Sequence, residues 1–363
     1  MPPDSIPLSG LRRALVIKLR HHGDVLLASP VFSVLKNHAP QLEIDALVYA
    51  DTAPMLEGHP AVAQVHGIDR GWKKLAVPAR LTFELGLFRR LRARRYDLIV
   101  HLSEHPRGAW LARLLGARHA VAPRIASKPE FWRASFTHLY AQPLNARRHM
   151  VERNLDALRR IGIRPGADER RLTLVAGAAA ESRVDALLEQ HGLAGKSFIH
   201  FHPASRWQFK CWTAEKNAEL IRCLRDEGER VVVTCAPDAR EMEFVEAVLG
   251  QAGSGAGAAN LAGQLSLKEL GALSQRARLF VGVDSAPMHI AAAMGTPVVA
   301  LFGPSGELEW GPWGVPHRVV ASDAHPCRPC GLDGCGGSKR SECLTTLPVA
   351  RVMAAIGELS PEP

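Results

Sequence analysis

Compact apolar runs and helix-spaced apolar positions alternate along the whole chain. RALVIKL (13–19) is an apolar block bounded by polar residues, the mark of a strand buried on both faces. Residues 24–37 carry apolar positions at helical spacing, LEIDALVY (42–49) is a second strand, 80–95 a helix and DLIVHL (97–102) a further strand. A helix over 150–162 leads into IRPGADERR, polar and rich in turn formers, which reads as a linker. The rhythm then restarts with SFIHFH (197–202), a helix from Thr213 to Glu227, RVVVTCA (230–236) and a helix over 238–249. RLFVGV (278–283), a helix from 285 and TPVVALF (296–302) complete the second series, and 345–359 reads as a terminal helix. GQAGSGAGAA (250–259) reads as a flexible, low-complexity loop.

Strands alternating with helices of this length predict parallel sheets in an α/β fold. A chain of 363 residues is too long for one ordinary core. The expected organisation is two doubly wound, Rossmann-like domains, 1–165 and 166–363, facing one another across a cleft. The terminal helix 345–359 has the option of packing back on the first domain. No apolar run approaches the roughly 20 residues that span a bilayer. The start, MPPDSIPLSGLRR, lacks the order of a secretory signal, so a cytoplasmic location is expected.

Charge divides the chain. Residues 1–165 hold 26 Lys/Arg against 13 Asp/Glu, whereas 166–363 hold 19 against 23. A basic half suits an anionic partner, whether nucleic acid, a membrane surface or a phosphorylated substrate. The run Arg89, Arg90, Arg92, Arg94, Arg95 also suits a plain solvated helix face.

Three strand-to-helix junctions carry polar residues where open α/β sheets bind ligands, beyond the carboxyl ends of strands. The first is Leu19-Arg20-His21-His22-Gly23-Asp24. Gly23 suits a tight turn there, and Asp24 suits either a general base or a helix cap. The second is His202-Pro203-Ala204-Ser205-Arg206 with Lys210 following. A hydroxyl, a planar guanidinium and a point-charge ammonium together suit a diphosphate. The third is Gly282-Val283-Asp284-Ser285-Ala286-Pro287-Met288-His289. Pro287 is tolerated in a first helical turn, and His289 falls one turn after Ser285. A solvated loop with its Trp residues packed underneath explains the second junction as well, and a plain cap with a packed histidine explains the third. No G-x-G-x-x-G follows the first strand, and neither a Walker loop nor an Asp-x-Asp pair is present.

At these junctions the sequence resembles the lipopolysaccharide heptosyltransferases, glycosyltransferase family 9, and among them the heptosyltransferase III type. IKLRHHGDVLLASPVFSVLK, HPASRWQFKCW and VGVDSAPMHIAAAMGTPVVALFGPS recur in family order and cover nearly the whole chain. The resemblance implies a GT-B fold, with the acceptor on the N-terminal domain and an ADP-heptose donor on the C-terminal one. It implies inverting, metal-independent transfer of heptose to the lipopolysaccharide inner core, with no cofactor required for catalysis. Asp24 falls on the catalytic base, with Arg20, His22 and Gly23 on the acceptor side. His21 or His22 is the alternative base, since imidazole titrates near neutrality. Ser205 and Lys210 fall on phosphate contacts, Asp284 on the donor-sugar aspartate, and Ser285 and Ala286 on the phosphate loop. His289, one turn on, is also counted among the donor-binding residues, and Glu241 is assigned to the adenosine ribose. Ala204 replaces a second hydroxyl of some family members, and Arg206 is placed to compensate. The implied partners are ADP-heptose, a lipid-linked core acceptor and the anionic inner face of the inner membrane, with no nucleic acid.

Four of seven cysteines crowd into Cys327-x2-Cys330-x4-Cys335-x7-Cys343. In a reducing compartment disulfides are disfavoured. The cluster suits a structural zinc site, an iron–sulfur cluster or free thiols. Cys211, Cys223 and Cys235 read as buried small hydrophobes. The competing functions are a GT-B transferase or epimerase using another nucleotide sugar, and a non-catalytic anion-binding protein.

Overall fold

The computed structural model describes residues 4–142, 147–253 and 257–359. The chain divides into two compact units between Val175 and Ala176.

The first unit holds β1 (Arg13–Ile17), α1 (His22–Leu26), α2 (Ser29–His38), β2 (Glu43–Tyr49), β3 (Gln64–Ile68) and α3 (Val77–Arg94). It continues with β4 (Leu98–His101), α4 (Pro106–Leu115), β5 (His119–Arg124), α5 (Glu130–Arg133), β6 (His138–Ala141) and α6 (Met150–Arg160). The strands pair in the order β3-β2-β1-β4-β5-β6, all parallel. Leu15, Ile17, Leu47 and Ile99 form one core with Leu87 and Leu91 of α3, Ala109 and Leu111 of α4 and Trp132 of α5. Each such large side chain, taken fully out of water, contributes about 1.5–3 kcal/mol. On α2 and α6, Val31, Leu35, Val151 and Leu155 are likewise buried, and those two helices pack together. The sheet is therefore a middle layer.

The second unit opens with α7 (Ala178–Gln190), β7 (Ile199–His202), α8 (Ala214–Asp226), β8 (Val231–Val233), α9 (Ala239–Ala252), β9 (Ala258–Asn260) and α10 (Leu267–Arg276). β10 (Leu279–Val283), α11 (Ala286–Ala293), β11 (Val298–Phe302), α12 (Glu307–Trp310), β12 (His317–Ala321), α13 (Glu342–Thr345) and α14 (Val349–Gly357) follow. The order β12-β11-β10-β7-β8-β9 is parallel throughout and repeats the connectivity of the first sheet. Each sheet therefore reverses its winding once, between β1 and β4 and between β7 and β10. Ligands bind at such switch points because the loops leave the two strands in opposite directions and open a crevice. α14 packs against α8 and β12 of its own unit.

Local differences from the sequence reading have physical causes. The single helix read over 24–37 starts at His22 and is broken into α1 and α2, with Pro30 in the first turn of α2. Proline has no N–H to continue a ladder and is at home where none is needed. Residues 250–259 are not one loop: α9 runs to Ala252 and β9 begins at Ala258, with 254–256 outside the described residues. The terminal helix begins only after Pro348. Cys235 is buried as read, whereas Cys211 and Cys223 are half-buried.

Candidate functional site

In the second unit, β7 and β10 run side by side with Gly282 opposite His202. A Cβ on Gly282 would lie 2.8 Å from the His202 carbonyl oxygen, so only glycine allows this approach. His202 is itself committed to the interior: its Nδ1 lies 2.8 Å from Thr234 Oγ1, and burial pushes it down to about 3. It stays neutral and structural.

Beyond it the chain turns through Ser205 and a 3-10 turn, Gln208–Lys210, that brings Lys210 back over the sheet end. Lys210 Nζ donates to Asp284 Oδ2 at 2.6 Å, joining the two loops that leave β7 and β10. Asp284 is buried and Lys210 three-quarters so, which strengthens the attraction beyond that of a surface pair. Two residues 74 positions apart thus form one charged centre at the switch point.

Ser285 is the N-cap residue of α11 in extended conformation, yet its hydroxyl donates to the Val283 carbonyl at 3.3 Å instead of capping the helix. Ala286 and Pro287 form the first turn. The plain-cap reading of this junction is therefore not what the side chain does. His289 is buried on the same helix.

Ser205, Arg206 and Glu241 line a cavity of about 550 Å³ beside this pair. Glu241 is buried in the first turn of α9, where its carboxylate accepts from the Ala236 N–H at 3.2 Å. Burial pushes its pKa up, the Ala236 bond opposes this and Asp238 adds to it. Asp238 caps α9 by accepting from Arg240 and Glu241 N–H groups. Lys210, Asp284, Ser285, Ala286 and His289 stand outside the cavity lining, so the residues that the resemblance assigns to a donor fall into two groups rather than one.

Lys339 and Arg340 also line the cavity, and the sequence reading missed them. They lie in the cysteine loop, about 130 residues along the chain from Ser205, with no local motif to announce them. The loop is folded onto itself at Gly334, whose φ of +95° and 2.5 Å clearance to the Arg340 nitrogen exclude a side chain. Cys335 N–H donates to the Arg340 carbonyl at 2.7 Å. Ser341 Oγ, buried, donates to the Phe209 carbonyl at 2.7 Å, tying this loop to the Lys210 turn. Cys343 is buried while Cys327, Cys330 and Cys335 are exposed. Among the described residues no group of three or more His, Cys, Asp or Glu is arranged to hold a metal ion.

In the first unit Asp24 lies in the first turn of α1, half-buried. The N-cap residue is His21, without a side-chain cap bond, so Asp24 is not used as a cap. Gly23 lies inside α1 and is not among the left-handed glycines; the chain reverses at Arg20 and His21 without it. His22 Nε2 donates to the Asp51 carbonyl at 2.9 Å, which commits that nitrogen's proton. Arg20 is exposed, and its carbonyl accepts from Arg70 Nη2 at 3.0 Å. A buried lysine, Lys18, stands at the end of β1 beside these residues, and the sequence reading had absorbed it into the strand.

Residues 85–337 match the family model of glycosyltransferase family 9 (heptosyltransferase). The chain is 36% identical over 345 residues to lipopolysaccharide heptosyltransferase 3 of Escherichia coli, covering 94% of this chain and 98% of that one. Among solved structures, the glycosyl transferase family 9 protein from Veillonella parvula DSM 2008 matches with a TM-score of 0.82 at 22% identity, over 98% of this chain and 99% of that one. E. coli heptosyltransferase WaaC with ADP-2-deoxy-2-fluoro heptose matches with a TM-score of 0.73 at 22% identity, over 96% and 100%. The fold is GT-B, and the chain belongs to glycosyltransferase family 9, the heptosyltransferases.

Proposed function

We propose that this chain transfers heptose from ADP-heptose to the inner core of lipopolysaccharide, with inversion and without a catalytic metal. The observation that carries the reading is the Lys210–Asp284 pair at the β7/β10 switch point, beside the cavity lined by Glu241. The names of the relatives support the donor and acceptor: E. coli lipopolysaccharide heptosyltransferase 3, and WaaC with an ADP-heptose analogue. The second unit takes the donor, with Glu241 at the ribose, and the first unit takes the acceptor.

In this reading the acceptor hydroxyl attacks the anomeric carbon while Asp24 takes its proton, with Arg20, His22 and Gly23 flanking the acceptor. The bond to the ADP oxygen breaks on the opposite face. Lys210, Arg206, Ser205 and the first turn of α11 at Ser285 and Ala286 meet the charge that develops on the diphosphate. Asp284 holds Lys210 before the donor arrives and accepts from donor hydroxyls afterwards, with His289 as a further donor contact one turn along α11.

The four thiols are proposed to carry a structural zinc. Burial pushes Cys343 up, Arg328 opposes this, and Cys335, Cys330 and Cys327 add to the rise, so the four share one neighbourhood. They do not stand at ligand geometry, and no step of the reaction is routed through a metal. Metal analysis of the purified chain and of Cys343→Ser tests the site; a chain that purifies without zinc removes it.

Titration calorimetry of ADP against UDP, GDP, CDP and NAD, with metal chelated, tests the donor. Selective ADP binding is expected. A UDP preference would keep the fold and discard the donor, and binding of none would favour a non-catalytic protein. A cytoplasmic location on the inner face of the inner membrane belongs to the same proposal. Among the described residues no helix is long and apolar enough to cross a membrane.

A further inference from the structure

α3 is 18 residues long but fully buries only Leu87 and Leu91, both in its second half. Residues 73–83 are exposed without interruption. Within and beyond that stretch Val77, Leu81 and Leu85, spaced by four, form one stripe and are 68%, 54% and 50% exposed. Arg89 and Arg92 continue the same side of the helix, and Lys73 and Lys74 precede it. Residues 73–95 carry eight Lys/Arg against one carboxylate, Glu84. That carboxylate is already bound by Arg107 of α4, which sets α4 beside α3. On α4, Leu114 is 54% exposed, whereas Trp110, though 56% exposed, packs its ring on Phe131 of α5 at 4.5 Å. Phe83 is a different matter, since it stacks on Trp72 at 5.4 Å.

An apolar stripe flanked by cations and stripped of free carboxylates is the composition of a helix that lies in a lipid interface. The same density of positive charge repels a second copy of the helix, and a nucleic acid would leave the stripe without a partner. We infer that the exposed face of α3 is a docking surface for an anionic lipid bilayer, with Val77, Leu81 and Leu85 entering the acyl boundary. Exposed lysines and arginines on the same side meet the anionic headgroups.

Topology gives the surface a purpose. In a parallel sheet a helix begins at the carboxyl edge of the strand before it, so the exposed first half of α3 lies at the sheet edge that carries Asp24. The turn before α3 is joined to that loop directly. Arg70 donates to the Arg20 carbonyl at 3.0 Å and pairs with Asp51 at 3.2 Å. A bilayer held by α3 therefore borders the residues assigned to the acceptor. The inference rests on the proposed lipid-linked acceptor and deepens it.

Vesicle flotation with the full chain tests it, using phosphatidylethanolamine–phosphatidylglycerol vesicles against pure phosphatidylcholine at low and high salt. The wild-type chain should float with the anionic vesicles and lose binding as salt rises. A Val77→Ser/Leu81→Ser/Leu85→Ser variant should bind them about tenfold or more weakly, because the apolar contribution is removed. Arg89→Gln/Arg92→Gln should reduce binding and flatten its salt dependence. The serine variant should keep the wild-type melting temperature and ADP affinity, which reside elsewhere. A wild-type chain that floats with neither vesicle, or a serine variant that floats as well as the wild type, overturns the inference. So does a wild-type dimer, seen by sedimentation, that the serine variant converts to monomer without any vesicle binding. Vesicle binding without ADP binding would count against the donor reading and leave the lipid surface standing.

Discussion

Lys18 Nζ donates to Asn154 Oδ1 at 2.9 Å, both side chains buried. The same ammonium donates to the Leu102 carbonyl at 3.1 Å, and Asn154 Nδ2 donates to the Leu27 carbonyl at 3.0 Å. One buried network thus joins the ends of β1 and β4 at the switch point to α6 and to the residue that ends α1. The short helix carrying Asp24 is held from beneath by a polar clamp.

Removing half of that clamp leaves buried groups unsatisfied. Asn154→Ala should lower the stability of the first unit by about 1–3 kcal/mol, read from urea unfolding. It should also slow transfer while leaving ADP affinity at its wild-type value. Unchanged stability would mean that the clamp is incidental.

Lys18 gives the fold a pH signature. Burial pushes its pKa from 10.5 down to about 8, with Asp24 acting against the drop and Arg20 and Arg153 reinforcing it. Between about pH 8 and 10.5 the unfolded chain holds this proton and the folded chain does not, so stability rises with pH in that window. Below pH 8 both states hold it and the slope from this group vanishes. The wild-type stability relative to Lys18→Met should therefore climb from pH 8 to pH 10. A difference independent of pH would refute a lowered Lys18.

Asp24→Asn keeps the shape of α1 and removes the proton acceptor. The rate of heptose transfer should fall by about 100-fold to 10,000-fold, the usual worth of a general base, with ADP binding unaltered. Near-normal turnover would sink the assignment.

The Lys210–Asp284 pair separates two roles. Lys210→Ala should weaken ADP binding, because the diphosphate loses a cation. Asp284→Asn should leave ADP affinity equal or tighter, because the carboxylate that competes for Lys210 and repels phosphate is gone, yet transfer should drop. Calorimetry with ADP and single-turnover kinetics on both variants read the split; parallel losses in the two would contradict it.

Gly334→Ala tests the wall of the cavity. Its Cβ would meet the Arg340 nitrogen at 2.5 Å in a left-handed backbone, at a cost of about 1–3 kcal/mol. ADP binding should weaken through displaced Lys339 and Arg340, whereas Gly314→Ala, also at positive φ but with open space around it, should leave binding alone.

The alternation of RALVIKL, LEIDALVY, SFIHFH and RLFVGV with helical spacing was enough to place two doubly wound sheets, because strands buried on both faces are predominantly apolar, even with Asp45, His200 and His202 among them. The strands that escaped, β3, β5, β6, β9 and β12, lie at or next to sheet edges. β12 exposes His317 and Arg318, and β9 is Ala-Ala-Asn with no residue fully buried. Edge strands such as these two are partly solvated and lose the pattern, whereas β5 is buried over 120–123 but is His-Ala-Val-Ala-Pro-Arg, with too few large apolar residues to stand out. The three junctions were visible for a similar reason: polar residues directly after apolar strands stand out along the chain. Their use was not. Whether Asp24 caps a helix or Ser285 does depends on backbone dihedrals that neighbouring residues impose. The pairing of Lys210 with Asp284, the clamp from Lys18 to Asn154 and the arrival of Lys339 and Arg340 beside Glu241 join residues 74 to 136 positions apart or more loosely related loops. Local pattern reports which face of an element meets water, since that is written in neighbouring residues. Which side chains share one low-dielectric space follows from strand order and crossover, and a linear pattern of hydrophobicity does not contain those.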